Sequence, residues 1–250
     1  MTSNQYVHAA SRDIDWVPSR GADSPGVPFA GAWVRHLVEQ SPGVLEIKLC
    51  AEQEVPSHVF STQVVMLMTE GAILIDGEHG CTAGDARWSE AGTPSGAWLA
   101  SPEGARFYLI GMDGPPVSEV SSSPSCLPWQ VASPRDLAWS ELAMGESIAP
   151  PGRSCPLCEG GPSVTLLVFD PRCVIKPHSH PGNIVYIMLE GTMEVPGEGV
   201  YETGDLRWGA RGYEYGPEIM GTVGTTMIAI QKDVPLAVDW VDAGSAASSS

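Results

Sequence analysis

The chain has 250 residues, 43% of them hydrophobic and 17% charged, with 28 glycines and 22 prolines. That composition gives a real core broken by many turns, enough for one large all-β domain or two ordinary ones. The formal charge of −17 argues against nucleic acid or an anionic membrane as partner and leaves a small-molecule substrate open. No apolar run approaches the ~20 residues that span a bilayer. Six cysteines without a basic-then-apolar leader read as the reduced thiols of a cytoplasmic protein.

In chain order, RDIDW (12–16) leads into short β-branched segments bounded by Gly, Pro, Asp or Ser. VLEIKLC (44–50), VVMLM (64–68) and AILI (72–75) each predict a strand. A Ser/Pro-rich stretch over 117–129 reads as a linker between a first domain at 12–116 and a second at 130–238. RDLAWSELAMGES (135–147) has room for a helical turn or two. CPLC (155–158) has C-x-x-C spacing but no thioredoxin-like βαβ setting. With Cys126 and Cys173 it offers four thiolates, at separations that match no strong zinc-finger pattern. VTLLVF (164–169), IVYIML (184–189) and MIAI (227–230) predict further strands, and AGSAASSS (243–250) has the composition of a disordered tail. Short strands at close spacing, with no long helical period, point to an all-β sandwich or barrel.

The chain repeats itself. TEGAILIDGEHGCTAGDARW (69–88) matches LEGTMEVPGEGVYETGDLRW (189–208) at a constant offset of 120, and the same register pairs FYLI (107–110) with MIAI (227–230). RDIDW and RDLAW (135–139) match at an offset of 123, which places a small indel between them. Two copies are too few for a solenoid, so two similar domains are expected.

The second copy carries His178 and His180 in KPHSHPGNIVYIMLEG (176–191). On a strand, residues two apart share a face, so both imidazoles point into the expected barrel and can converge on one ion. Imidazole suits zinc, copper, iron and nickel, and Pro177 and Pro181 stiffen the pair. No histidine follows His180, so a third donor comes from another residue type. Tyr215, Glu214 and Glu218 are the near candidates, with water as the remaining possibility; Tyr215 would need a cation's charge to ionise at neutral pH. In the first copy His58 stands where His178 does, but Phe60 replaces His180 and Ser95 replaces Tyr215, so this domain is expected to be a metal-free, structural copy. His79 falls on an expected hairpin tip. Arg87 and Arg207 hold equal places in GDARW and GDLRW. Each could clamp a substrate carboxylate or form a structural pair, with Asp85 or Asp205 as the expected partner. Tyr186, Tyr201, Tyr213, Met188 and Met220 are candidates for lining the second cavity.

HSHPGNIVYIMLEG followed by GDLRW resembles the two sequence motifs of the cupin superfamily. The spacing is most similar to the acetylacetone-cleaving and dihydroxyacetophenone-cleaving dioxygenases, and the cupin domains of some anti-sigma factors look related. The resemblance covers 12–112 and 135–232 and implies a bicupin: two antiparallel β-barrels of double-stranded β-helix, or jelly-roll, type in one chain, able to dimerise. It implies a divalent transition metal, Fe(II) foremost with Zn, Ni or Mn as alternatives, and O₂-dependent cleavage or oxidation of a small ketone, diketone or phenol. On that scheme His178, His180 and Tyr215 hold the metal, Tyr215 doubles as the proton-transfer residue, and Tyr186, Arg207 and Tyr213 bind substrate. The chain departs from the cupin pattern at Ile184 and Val64, where many cupins carry a glutamate, and at Tyr215, where the dioxygenases carry their third histidine. These departures keep two other readings open: a redox-neutral isomerase, cyclase or lyase, and a non-catalytic ligand sensor.

Overall fold

The computed structural model describes residues 5–19, 29–76, 80–121, 130–142, 152–158, 161–232 and 236–241. The tail at 243–250, His79, Cys126 and most of the 117–129 linker lie outside the described residues. So does 143–151 of the segment read as a helical turn; its start, 134–137, is a turn without helix. Among the described residues the only helix is the short 3-10 turn Ser11–Asp13, and no helix is long and apolar enough to cross a membrane.

The chain divides into two units. One comprises Asp13–Leu137 with Leu157–Gly161. Its main sheet runs in the order Gln130–Ala132, Ala86–Ser89, Val64–Ile75, Trp98–Gly111, Gly43–Leu49, Trp33–Val38, Val17–Pro18, with every neighbour antiparallel. A three-stranded sheet of Pro94–Ser95, His58–Phe60 and Ser118–Val120 completes it. The other unit comprises Met1–Arg12, Ala138–Pro156 and Pro162–Ser250. Its sheet runs Tyr6–Ala10, Asp205–Gly209, Ile184–Val195, Glu218–Gln231, Ser163–Phe169, Gly152–Pro156, Ser140–Glu141, and a small sheet pairs His178–Ser179 with Asp239–Trp240. The fold is thus all-β and antiparallel, built twice on one plan.

The division differs from the sequence boundaries at Leu157–Gly161, which falls with the first copy, and in two further places. Ser118–Val120, in the stretch read as linker, is a strand on His58–Phe60. The segments preceding the two copies are also exchanged. Tyr6–Ala10 pairs with Asp205–Gly209, and Gln130–Ala132 pairs with Ala86–Ser89. Each edge is closed by a strand that precedes the other copy. Sequence periodicity carries no information about partner choice, which explains why the exchange is invisible in it.

Strand alternation sets what faces inward. On Ile184–Val195, Ile184, Tyr186, Met188, Met193 and Val195 join one core with Leu167, Tyr201, Tyr215 and Met227. The equivalent face of the other unit packs Val64, Met66, Met68, Ile73 and Ile75 with Phe29, Trp98 and Phe107. The repeated Gly of TEG and LEG has a steric cause. Gly71 and Gly191 lie at φ +68 and +78, and a Cβ on either would meet a carbonyl oxygen of the neighbouring strand at 2.1 or 2.0 Å.

Candidate metal centre

His178 opens the short strand His178–Ser179 and forms a bridge to Tyr215, with backbone hydrogen bonds in both directions. His180 follows two residues later, and both rings are buried, at 1% and 2% exposure. The His178 Nδ1–H donates to the Lys176 carbonyl at 2.8 Å, and the His180 Nδ1–H donates to the Ala237 carbonyl at 2.6 Å. A carbonyl can only accept, so each Nδ1 carries a hydrogen, and a ring in its neutral form turns an Nε2 lone pair inward. Burial, reinforced by the neighbouring His178, pushes the His180 pKa down to about 3 and keeps that ring neutral.

Both lone pairs meet Tyr215. Its Oη lies 2.9 Å from His178 Nε2, 2.9 Å from His180 Nε2 and 3.0 Å from Tyr186 Oη, and Tyr186 Oη lies 2.9 Å from His180 Nε2. With both rings neutral, two phenolic hydrogens serve these four contacts. Two of the four are therefore lone pair facing lone pair, a hydrogen-deficient cluster that a cation would satisfy. Glu218 adds an acceptor: it is buried on the same small cavity, and its Oε1 has no hydrogen-bond partner. Burial raises the Glu218 carboxyl pKa and drives both phenols upward, Tyr215 strongly. Among the described residues no three His, Cys, Asp or Glu side chains gather as a metal site; the third group beside the two imidazoles is a phenol. Glu214, the other acidic candidate, is exposed.

The cavity between these groups is only about 40 Å³, room for one water or one ion. A C-terminal strap covers it. Leu236 and Val238 line it, Trp240 packs its ring 5.7 Å from that of His178, and Asp239–Trp240 pairs with His178–Ser179.

The profile of the ChrR cupin-like domain matches residues 129–233. Among solved structures, a protein provisionally named a dioxygenase, from Nostoc punctiforme, superposes with a TM-score of 0.76 at 17% identity, covering 95% of this chain and 87% of its own. Oxalate decarboxylase from Bacillus subtilis superposes at 0.65 and 15% identity, covering 96% and 79%. Residues 129–233 thus match a cupin-like domain, and the chain as a whole has a bicupin-like fold. At these identities the structural likeness is one of fold; that the decarboxylase holds Mn(II) centres is a fact about that enzyme. No curated protein matches the sequence.

Within this bicupin the remaining site candidates separate. Tyr186 lines the cavity. Arg207 lies behind Tyr215, its guanidinium carbon 3.6 Å over the phenol ring. Its partner is neither aspartate: Asp205 takes His8, Arg12 and the Glu202 amide, and Asp85 takes Thr82. Arg207 instead forms a two-bond fork to Glu198, Nε to Oε2 and Nη2 to Oε1, both at 2.7 Å, and the Tyr201 hydroxyl donates to the same carboxylate at 2.8 Å. Burial works against the Arg207 charge, but the Glu198 fork more than restores it and raises its pKa. Tyr213 is half-buried and stacks between Tyr6 and Tyr215. Glu198 was discoverable: Glu78 stands 120 residues earlier, retained with the arginines. The strap had no such signal, because residues 236–241 carry no donor that announces a site. Among the described cysteines Cys50, Cys155, Cys158 and Cys173 are free thiols, and burial pushes Cys158 up to about 12, far from a reactive thiolate.

Proposed function

We propose that the second barrel is a metal-dependent enzyme site for a small oxygenated compound, a ketone, diketone or phenol, with O₂-dependent cleavage or oxidation as its reaction. One observation carries this reading: two buried imidazoles, each locked by a carbonyl into the tautomer that offers Nε2, converge with a phenol in a cluster short of hydrogens. Metal-bound histidines characteristically have their other nitrogen fixed in this way. His178, His180 and Tyr215 would hold the metal, which supplies Lewis acidity toward substrate oxygens and, as iron, electrons for O₂ chemistry. The names of the two structural neighbours support enzymatic metal chemistry without specifying it.

The chain's own groups do the rest. Arg207, fixed by Glu198, sets the plane of the Tyr215 ring and favours its anionic form. Tyr186 is placed to exchange a proton with His180 or Tyr215 at its Oη. An organic substrate needs far more than 40 Å³, so the 236–241 strap moves away to admit it and closes to exclude water. Buried Glu218 favours a second, redox-neutral reading, because a carboxyl held toward its protonated form on the cavity wall suits proton transfer.

The test is oxygen consumption by tag-free, metal-analysed protein against a panel of diketones and phenols, in air and under strict anaerobiosis. Turnover that needs O₂ is expected. Anaerobic turnover would replace the first reading by the redox-neutral one, and ligand binding without either metal or turnover would make the protein a sensor.

A further inference from the structure

Tyr186 stands where a fourth donor to the cluster would stand. Its Oη lies 2.9 Å from His180 Nε2 and 3.0 Å from Tyr215 Oη, while Tyr215 Oη lies 2.9 Å from His180 Nε2. These three atoms form a nearly equilateral triangle. Metal–ligand bonds of about 2.0–2.1 Å at right angles place neighbouring donors about 2.9 Å apart, so the triangle has the dimensions of one face of an octahedron. His178 Nε2 stands a further 2.9 Å from Tyr215 Oη, as a fourth ligand at an adjoining vertex would. The side chains are already in place for such a centre: Tyr186 is 4% exposed and Tyr215 7% exposed, and both belong to the barrel core.

Charge and donor type then choose the ion. The set is two imidazole nitrogens and two phenol oxygens, with no thiolate among them. Phenolates are hard anionic donors, which favour a small, highly charged cation, and tyrosinate is an established iron ligand. Arg207 contributes no net charge to the cavity, because Glu198 neutralises it through a two-bond fork. Two phenolates carry two negative charges, and Glu218 on the same wall supplies a third once the ion's charge displaces its carboxyl proton, a total that a trivalent ion cancels. The guanidinium over the Tyr215 ring adds local stabilisation for the phenolate.

We propose that Tyr186 and Tyr215 both bind as phenolates, with His178 and His180, around a ferric ion. This rests on the metal reading of the same site and sharpens it in two respects: it makes Tyr186 a ligand, and it makes the resting ion Fe(III) in place of the Fe(II) expected from the cupin resemblance. Entry of the ion is a proton exchange. Fe³⁺ forms two iron–oxygen and two iron–nitrogen bonds, both phenolic O–H bonds and the Glu218 carboxyl O–H bond break, and three protons leave to solvent; neutral imidazoles with the hydrogen on Nδ1 release none.

The experiment uses the full chain, metal-stripped, loaded with ferrous sulfate under argon and then exposed to air. Phenolate-to-iron(III) charge transfer absorbs in the visible, so a colourless protein should turn purple or red as O₂ oxidises the iron, with tyrosinate modes in the resonance Raman spectrum. Tyr186→Phe and Tyr215→Phe should each retain iron with roughly half the band intensity at a shifted maximum, and the double variant should lose the band. Thermal melts check that the variants fold, and the Raman spectrum of the unmodified chain decides the matter without any variant. Stoichiometric iron without a visible band, or a band that Tyr186→Phe leaves unchanged, overturns the proposal. Failure here and failure of the enzymatic reading are distinguishable. A coloured centre that consumes no O₂ with any substrate supports the ferric site and defeats catalysis, whereas O₂-dependent turnover by a colourless iron or manganese protein defeats only the ferric site.

Discussion

The two barrels share a plan and differ at its centre. His58 and His178 make the same local bond, Nδ1–H to the carbonyl two residues back, at 2.9 and 2.8 Å. His58 pairs with Ser95 as His178 does with Tyr215. Around that shared histidine the first barrel places Phe60, Met66, Ser95 and Trp98 where the second places His180, Tyr186, Tyr215 and Glu218. The His58 ring lies among Phe29, Phe60 and Trp98, at centroid distances of 5.4, 5.1 and 4.6 Å, and its Nε2 is buried without a hydrogen-bond partner. Four side-chain differences thus separate an apolar box from a cluster of donors on one backbone. Position supplies the inward direction; residue type decides whether there is anything to bind.

The largest expected contrast is in metal content. His178→Ala combined with His180→Ala should take the chain from about one bound metal to background, because binding strength resides in the ligand set. His58→Ala should leave the content unchanged. Inductively coupled plasma analysis of tag-free protein reads both, and loss of metal in the His58 variant would place the site in the wrong barrel. Next in size is Arg207→Met. It leaves Glu198 buried with its charge uncompensated and should cost about 3–5 kcal/mol of unfolding free energy, measured by denaturant titration. Glu198→Gln with Arg207→Met should recover most of that loss, since it removes the stranded charge.

The fold was legible because both of its signals are local: short β-branched segments between turns, and a register of 120 held from Gly71/Gly191 to Trp88/Trp208. The histidine pair and Tyr215 were legible for the same reason, through alternation on a strand and a motif position. What lay beyond the sequence is long-range. Ala237, which fixes the His180 tautomer, is 57 residues away and contributes only a backbone carbonyl. Tyr186 looked like lining, because nothing in an apolar run shows that its hydroxyl ends beside two imidazoles. The partner of Arg207 was sought at the adjacent aspartates, whereas the fork comes from Glu198 on the turn that joins two neighbouring strands.

Acid should weaken both barrels, and the sign follows from the histidines. Burial lowers His58 to about 4 and His180 to about 3, against the ordinary 6.5. Below pH ~6.5 the unfolded chain takes up these protons and the folded chain does not, so stability falls as pH drops toward 4 and then 3. The full loss is on the order of 3 kcal/mol for His58 and 5 kcal/mol for His180. In metal-free protein, urea midpoints between pH 7 and 4 should therefore decline steeply. His58→Phe should flatten the decline of the first barrel and His180→Phe that of the second. A flat profile in the unmodified chain would mean that these rings reach solvent.

The smallest effect tests the comparison most directly. Phe60→His places a second imidazole in the first barrel at the position His180 holds in the second. If two inward histidines were sufficient, this variant would gain a metal. Donor count argues otherwise, because the neighbouring positions are Met66, Ser95 and Trp98, and Ser95 Oγ already accepts from Trp98 Nε1 at 2.7 Å and Arg87 Nη2 at 3.1 Å. The new ring would lie in an apolar box with a polar nitrogen to satisfy, which should cost about 1–3 kcal/mol and leave metal content at that of the unmodified chain, with no second ion. Metal uptake by this single variant would show that the backbone, with only a pair of imidazoles, makes the site, and that Tyr186 and Tyr215 contribute nothing the first barrel lacks.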